Sequence, residues 1–322
     1  MQLRKLRSRR RGAYGDRGIT HSRHIFMLDF KPICTDMLAE CKELLRDTDV
    51  RLCDYAPGCI SIWGRYFDMR GCIEGSMFFS VLRQSDGADS YVLPVGRGSF
   101  DDALDAIEKD ARERNVPLRF CCIPEEYVGR IRERFGEPVK IVFDGMWSDY
   151  LYPYENFCGY KGKALHGQKN HVNRFMREHP DYKFIPMDTG NIFRAREFML
   201  INRPSFDKDE ELAEAELRNL DCIFDVFDAL KLSGGMLCAD NRVLGFTIGE
   251  ALGDTLHIHV EKALTDFPGA YQMLAMSYAE HMKNDSLRFI NRQDDAGDEG
   301  LRKSKQNYKP CRMLDKYQMY YK

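Results

Sequence analysis

The densest run of residues able to do chemistry is Ile290-Asn291-Arg292-Gln293-Asp294-Asp295-Ala296-Gly297-Asp298-Glu299-Gly300-Leu301-Arg302-Lys303-Ser304-Lys305-Gln306-Asn307-Tyr308. An apolar strand ends there in a cluster of opposite charges and opens onto a short helix. Helix chemistry explains part of it: Asp295 can cap, Asp298 and Glu299 suit the positive end, and Asp298–Arg302 and Glu299–Lys303 have i,i+4 spacing. The remainder has the look of a site. Asn291, Arg292 and Asp294 lie at a strand's exit, where α/β-type sites gather catalytic groups, and Arg302, Lys305 and Tyr308 recur on about one helical face.

Two further stretches carry chemistry. In His257-Ile258-His259-Val260-Glu261-Lys262 the alternation puts His257, His259 and Glu261 on one face, opposite Leu256, Ile258 and Val260. With no ligand identifiable on a second strand, no metal site is expected. The row reads either as the lining of a cleft, Glu261 orienting an amine or Lys262 neutralising a carboxylate or phosphate, or as plain cross-strand pairing. Tyr160 to Phe175 is the third stretch. From 156 to 177 there is no acid against five Lys/Arg, and on a helix Lys163, Lys169, Asn170, Asn173 and Arg174 fall away from Leu165, Val172 and Phe175. That face reads as a surface for phosphates of RNA or of an anionic lipid, or as a solvated helix side.

The elements that must position these residues fall into two similar series. The first has a helix from about Thr35, a hairpin of strands 78–82 and 91–95, a helix 101–113 that Ser99 is placed to cap, a strand 118–122, a helix 124–135 and a strand 139–143. The second has helices 162–178, 191–201 and 210–230, strands 235–239, 243–250 and 256–261, a helix 270–282, a strand 287–291, a helix 298–306 and a final strand 311–321. Both read meander, loop, helix, strand, helix, strand. An α+β duplication is expected, joined near Gly145 to Tyr154. Residues 1–26 carry too little apolar surface to order and are expected to be a disordered basic tail. It is either dispensable or a nucleic-acid-binding arm, and Met27 is a possible alternative start to Met1.

At 322 residues, with a formal charge of −2, the chain has no global field to draw nucleic acid or membrane, so any such affinity must be local. Eleven cysteines without CxxC or Cys/His metal spacing read as reduced, mostly buried thiols. No apolar run is long enough to span a bilayer, and the cytoplasm is expected, with a peripheral position at the membrane left open.

A meander followed by a glycine-bearing loop at a helix start resembles the order of a GNAT-type acyltransferase unit. More specifically, 160–175, Gly-Phe-Thr-Ile-Gly-Glu at 245–250, His-Val-Glu-Lys-Ala at 259–263, Pro-Gly-Ala-Tyr-Gln at 268–272 and the string 290–305 resemble one family. It is the soluble relatives of the C-terminal domain of phosphatidylglycerol lysyltransferase, and the resemblance covers roughly 30 to 320. It implies two tandem GNAT-like (acyl-CoA N-acyltransferase-like) domains with mixed, mainly antiparallel sheets, 27–148 and 149–322. It also implies an enzyme that moves an aminoacyl group from aminoacyl-tRNA to a lipid, peptide or small-molecule acceptor.

In that reading Glu261 or Asp294 orients the acceptor, Arg302 and Lys305 stabilise negative charge, and Asn291 and Arg292 complete the catalytic group. The 161–174 helix binds tRNA phosphates, with Lys262, Tyr271, Gln272 and Tyr308 as further substrate contacts. The alternatives are a coenzyme A-dependent N-acyltransferase using acetyl- or acyl-CoA, and a non-catalytic binder. Two departures matter. The lysyltransferases' membrane-embedded half has no counterpart here, so a lipid acceptor is expected to lack its usual approach. Position 293 is Gln where the string is expected to carry an acid, which removes activity if that acid is catalytic and changes little if it only pairs with an arginine.

Overall fold

The computed structural model describes residues 28–46, 48, 51–206 and 211–322; the basic tail and the alternative start at Met27 lie outside them. Within the described residues, two seven-stranded sheets carry nine α-helices. The first sheet is built from β1 (Lys31–Pro32), β2 (Arg70–Glu74), β3 (Met77–Arg83), β4 (Asp89–Gly96), β5 (Arg119–Pro124) and β6 (Lys140–Phe143). The second contains β7 (Asp149–Pro153), β8 (Lys183–Pro186), β9 (Ser233–Ala239), β10 (Arg242–Leu252), β11 (Thr255–Ala263), β12 (Phe289–Asn291) and β13 (Arg312–Leu314). β14 (Lys316–Tyr320) follows. The helices are α1 (Thr35–Leu45), α2 (Pro57–Trp63), α3 (Phe100–Glu113), α4 (Glu125–Phe135), α5 (His166–Glu178), α6 (Phe193–Phe206), α7 (Glu211–Val226), α8 (Ala270–Met282) and α9 (Glu299–Asn307).

Strand order gives the duplication a topological form. The sheets run β1-β2-β3-β4-β5-β14-β6 and β8-β9-β10-β11-β12-β7-β13, the same pattern with the sixth position filled from elsewhere in the chain. The C-terminal strand β14 sits between β5 and β6 of the first sheet, and β7, which leaves the first half, sits between β12 and β13 of the second. This corrects the expectation that 311–321 is one strand closing the second unit. The segment breaks at Asp315 into β13 and β14, which belong to different sheets. Among the described residues only the pairs β4–β5 and β11–β12 are parallel. Both separate towards their C-terminal ends: pairing stops at Val92/Cys121 while β4 continues to Gly96, and at His257/Asn291 while β11 continues to Ala263.

Local chemistry sets the helix starts. Ser99 accepts a hydrogen bond from Asp102 N–H to cap α3, and Pro57 opens α2, where its missing N–H costs nothing. α2 lies across β11 so closely that a Cβ on Gly58 would fall 2.5 Å from His259 Cδ2, and the Gly58 N–H donates to Glu250 at 2.7 Å. Because α1 packs on β2–β4 of the first sheet and α2 lies against β11 of the second, one apolar core runs from Leu38, Cys41 and Ile60 to Phe246, Ile248 and Val260. A second core, around Tyr152, Phe157, Tyr160 and Leu274, lies between the opposite face of the second sheet and α8.

Candidate functional site

The exchanged strands bring acids and lysines from four segments to one place. Asp149 on β7 is fully buried and accepts hydrogen bonds from Cys53 N–H and Asn291 Nδ2, both at 2.7 Å. Lys316 on β14 places its Nζ 2.8 Å from Asp149, 2.6 Å from Asp54 and 3.6 Å from Asp294. Burial opposes a charge on both Asp149 and Lys316, yet each holds the other ionised: the Asp149 pKa is lowered and that of Lys316 raised. Cys53, Asp149 and Asp294 have donor atoms within 4.8 Å of one another, the spacing of a metal site. The Lys316 ammonium already takes the cation's position among them, so the residues do not fit a resident metal.

Asp294 follows β12 and faces a cavity of about 550 Å³ between the first sheet and α2. Burial, reinforced by Asp149 and Asp54 against the pull of Lys316 and Lys305, pushes its carboxyl up to about 6. Behind it Lys305 of α9 is buried, with Nζ donating to the carbonyls of Arg292, at 2.7 Å, and Asp294. Burial brings Lys305 down to about 8 despite Asp294. A carboxylate and an ammonium with pKa values drawn towards neutrality are the pattern of an acid–base pair. Two cysteines beside the cavity, Cys53 and Cys122, supply no thiolate. Cys53 and Cys122 are pushed up, each first by a hydrogen bond to a second cysteine and then by burial.

Arg292 leaves β12 and crosses to Glu261 on β11, an ion pair that bridges the gap where the two strands part. Its guanidinium lies 4.5 Å from the Tyr308 ring centroid and 5.6 Å from that of Phe157. Asn291, Arg292, Asp294 and Lys305 lie around the end of β12, with Glu261 and Tyr308 joined to them through Arg292. Arg302 is instead clamped to Asp295 through two hydrogen bonds of 3.0 and 2.9 Å, and Asp295 also accepts from Tyr150 OH. The α9 cap is Asp298, accepting from Leu301 N–H, rather than Asp295.

The histidine row also needs correction. His257 and His259 are buried rather than lining a cleft, His259 beneath α2, and His259 Nε2 lies 3.0 Å from Glu250, itself held by Lys42 at 2.9 Å. Burial takes His257 down to about 4, so it is neutral at pH 7. Lys262 pairs with Glu216 at 2.8 Å. Tyr271 and Gln272 are half-buried at the start of α8, where the Gln272 carbonyl accepts from Tyr160 OH at 3.0 Å. On α5 and the short turn before it, Lys163, Lys169, Asn170, Asn173 and Arg174 are exposed, and Arg174 is paired with Glu178 at 2.8 Å.

Two tandem GNAT-like units with this strand exchange already restrict the possible kin. A family model described as "Phosphatidylglycerol lysyltransferase, C-terminal" matches residues 48–320. The chain belongs to that family. Among solved structures, a conserved protein of unknown function from Bacteroides thetaiotaomicron superposes with a TM-score of 0.81 at 27% identity, over 92% of this chain and 100% of that one. L-PGS from Bacillus licheniformis superposes at 0.63 with 15% identity, over 90% and 92% of the two chains, a likeness of fold. An uncharacterised protein of Mycoplasmoides gallisepticum is 25% identical over 180 residues, 56% of this chain and 58% of that relative, so the match spans a little over half the length of the curated relative.

For this member of the phosphatidylglycerol lysyltransferase C-terminal family, sequence reading missed Asp54, Asp149 and Lys316. The one available signal was an acid inside an apolar run, Leu52-Cys53-Asp54-Tyr55 and Trp147-Ser148-Asp149-Tyr150. Gln293 lines the cavity, and its amide Nε2 is buried without a partner. Among the described residues no helix is long and apolar enough to cross a membrane.

Proposed function

We propose that the protein transfers an aminoacyl group from aminoacyl-tRNA to an acceptor held against Asp294. The observation that carries this reading is the Asp294 carboxyl facing an open cavity, with the buried Lys305 ammonium behind it on the Asp294 carbonyl. A carboxylate near pKa 6 takes the acceptor's proton, and the nearby ammonium steadies the negative charge that develops at the ester carbonyl. The reaction needs no enzyme nucleophile, consistent with the Cys53 and Cys122 thiols held protonated. Family membership supports the same donor chemistry.

Coenzyme A is the weaker fit. At the α3 start the Ser99 cap and the acids Asp101 and Asp102 occupy and repel where a pyrophosphate would lie. At the α8 start a Cβ on Gly269 would fall 2.3 Å from the His171 carbonyl oxygen, so α5 closes that approach. The test is transfer of a labelled amino acid from charged tRNA into an acid-stable product. RNase-sensitive product formation that Asp294→Asn abolishes is expected. No transfer, together with a higher melting temperature in acetyl-coenzyme A, would overturn the reading.

A further inference from the structure

The walls and floor of the 550 Å³ cavity differ in kind. Ile60, Trp63, Phe67, Met69, Leu82 and Val92 make the walls apolar, while Asp54 and Asp294 face in from the floor. The cations that line it are committed. Lys316 is shared among three carboxylates, and Arg83 lies 3.4 Å from Asp68 and 3.2 Å from Asp89. A phosphate entering here would meet carboxylates without a guanidinium or ammonium free to receive it. An N–H donor would meet two acceptors. Gln293 adds a buried amide Nε2 that lacks an acceptor of its own.

We infer that the cavity is the acceptor subsite and that it takes a primary amine carried on an apolar body, not a phospholipid headgroup. The inference rests on the aminoacyl-transfer reading above. The amine nitrogen attacks the ester carbonyl carbon of aminoacyl-tRNA; the new C–N bond forms as the C–O bond to the terminal ribose breaks. The proton leaving nitrogen passes to the Asp294 carboxylate and from there to the departing ribose oxygen, which returns Asp294 to its starting state. An acceptor arriving as ammonium first loses one proton to solvent. Two sources share this chemistry: a free arylalkyl or alkyl amine, and a peptide N-terminus beginning with an apolar residue, whose first carbonyl oxygen is the partner that Gln293 lacks.

The chain has two tryptophans, Trp63 and Trp147, and both line this cavity, so intrinsic fluorescence reports its occupancy without any donor present. The intact protein is titrated with 2-phenylethylamine, phenylalaninamide, 2-phenylethanol, 3-phenylpropionate and phosphatidylglycerol vesicles. Both amines are expected to bind about tenfold or more tightly than the alcohol, as one charge-assisted hydrogen bond requires, and the carboxylate and vesicles to leave the signal unchanged. Asp54→Asn is expected to weaken amine binding by about tenfold. Should that variant fail to fold, the ligand series on the unaltered protein decides.

Tighter binding of phenylalaninamide assigns the peptide source, and tighter binding of 2-phenylethylamine the free amine. Carboxylate or vesicle binding stronger than amine binding overturns the inference. The same ligands are then offered with charged tRNA. Amine binding without acylation overturns the transfer reading and leaves the cavity's ligand class standing. Acylation of phosphatidylglycerol without amine binding overturns the cavity assignment and leaves transfer standing.

Discussion

The two places where parallel strands part hold opposite contents. Between β4 and β5 the opening holds a cavity of about 360 Å³, bordered by Pro94, Gly96 and Pro124 and by Arg51, Arg130 and Arg312, which pair with Asp254, Asp101 and Glu125. Between β11 and β12 the ion pair of Glu261 with Arg292 spans the opening, and Tyr308 lies against the guanidinium. The buried polar cluster lies at neither opening but beside the cavity of about 550 Å³ against α2, where β14 delivers Lys316 and β7 delivers Asp149 next to the loop that holds Asp294. Duplication supplied the strand pattern, and the exchange of strands built the polar site.

If the exchange builds the site, its bridging cation should matter most. Lys316→Met leaves Asp149 buried without its partner and should cost about 3–5 kcal/mol, read as a fall in melting temperature. Adding Asp149→Asn should recover part of that loss, since the uncompensated charge is then gone. A Lys316→Met protein as stable as the parent would show that the junction contributes little and that each half is self-sufficient.

Asp294→Asn separates function from stability at the same junction. Transfer should fall at least about 100-fold, the usual minimum for a general base. The carboxyl moves from an ordinary 3.8 to about 6 on folding, so the stability it contributes is present at low pH and lost as pH rises through about 6. At pH 8 the amide should therefore stabilise the fold, by at most about 3 kcal/mol. In the parent protein the rate should rise through about pH 6 as Asp294 ionises and fall through about pH 8 as Lys305 loses its proton. A rate flat from pH 5 to 9 would remove the pair from the mechanism.

The closed opening gives a smaller and different effect. Glu261→Gln leaves Arg292 without its carboxylate, and if that ion pair seats the donor, the KM for aminoacyl-tRNA should rise about tenfold. Amine binding in the cavity beside Asp294 should not change. A shift in amine binding instead would couple Glu261 to the acceptor side.

Much of the fold was legible because it depends on local pattern. The 3.6-residue period of 101–113 with Ser99 before it, and the apolar runs 78–82 and 91–95 set apart by a polar turn, require little beyond their own neighbours. The site was legible on one side only. Asn291, Arg292, Asp294 and Lys305 share one short string, whereas Asp54, Asp149 and Lys316 are brought to it by strand exchange across as many as 262 positions, from Asp54 to Lys316. No spacing rule encodes such a junction. The histidines misled for a related reason: alternation shows that His257 and His259 share a face but not that α2 lies over it, and burial beneath another half of the molecule is not a property of the strand.

The smallest expected effect lies away from the junction, on α5. Its basic residues are exposed, and the part they can play is to neutralise phosphates of the tRNA, which adds affinity through counterion release without entering the chemistry. Arg174 is already partnered by Glu178, so Lys163 and Lys169 carry the test. Reversing both to Glu should change stability by less than about 0.5 kcal/mol, as surface substitutions usually do. Binding of tRNA should weaken, and the slope of log affinity against log salt should flatten by about 0.7–0.9 for each phosphate no longer neutralised. The maximal rate at saturating charged tRNA should stay at the parent value, because neither lysine touches Asp294 or Lys305. Unaltered affinity and slope would make this face a solvated helix side and move the search for the tRNA-binding surface to other cations. A loss of maximal rate with affinity intact would mean that α5 orders the site, and would carry the influence of the second half beyond the strands it shares with the first.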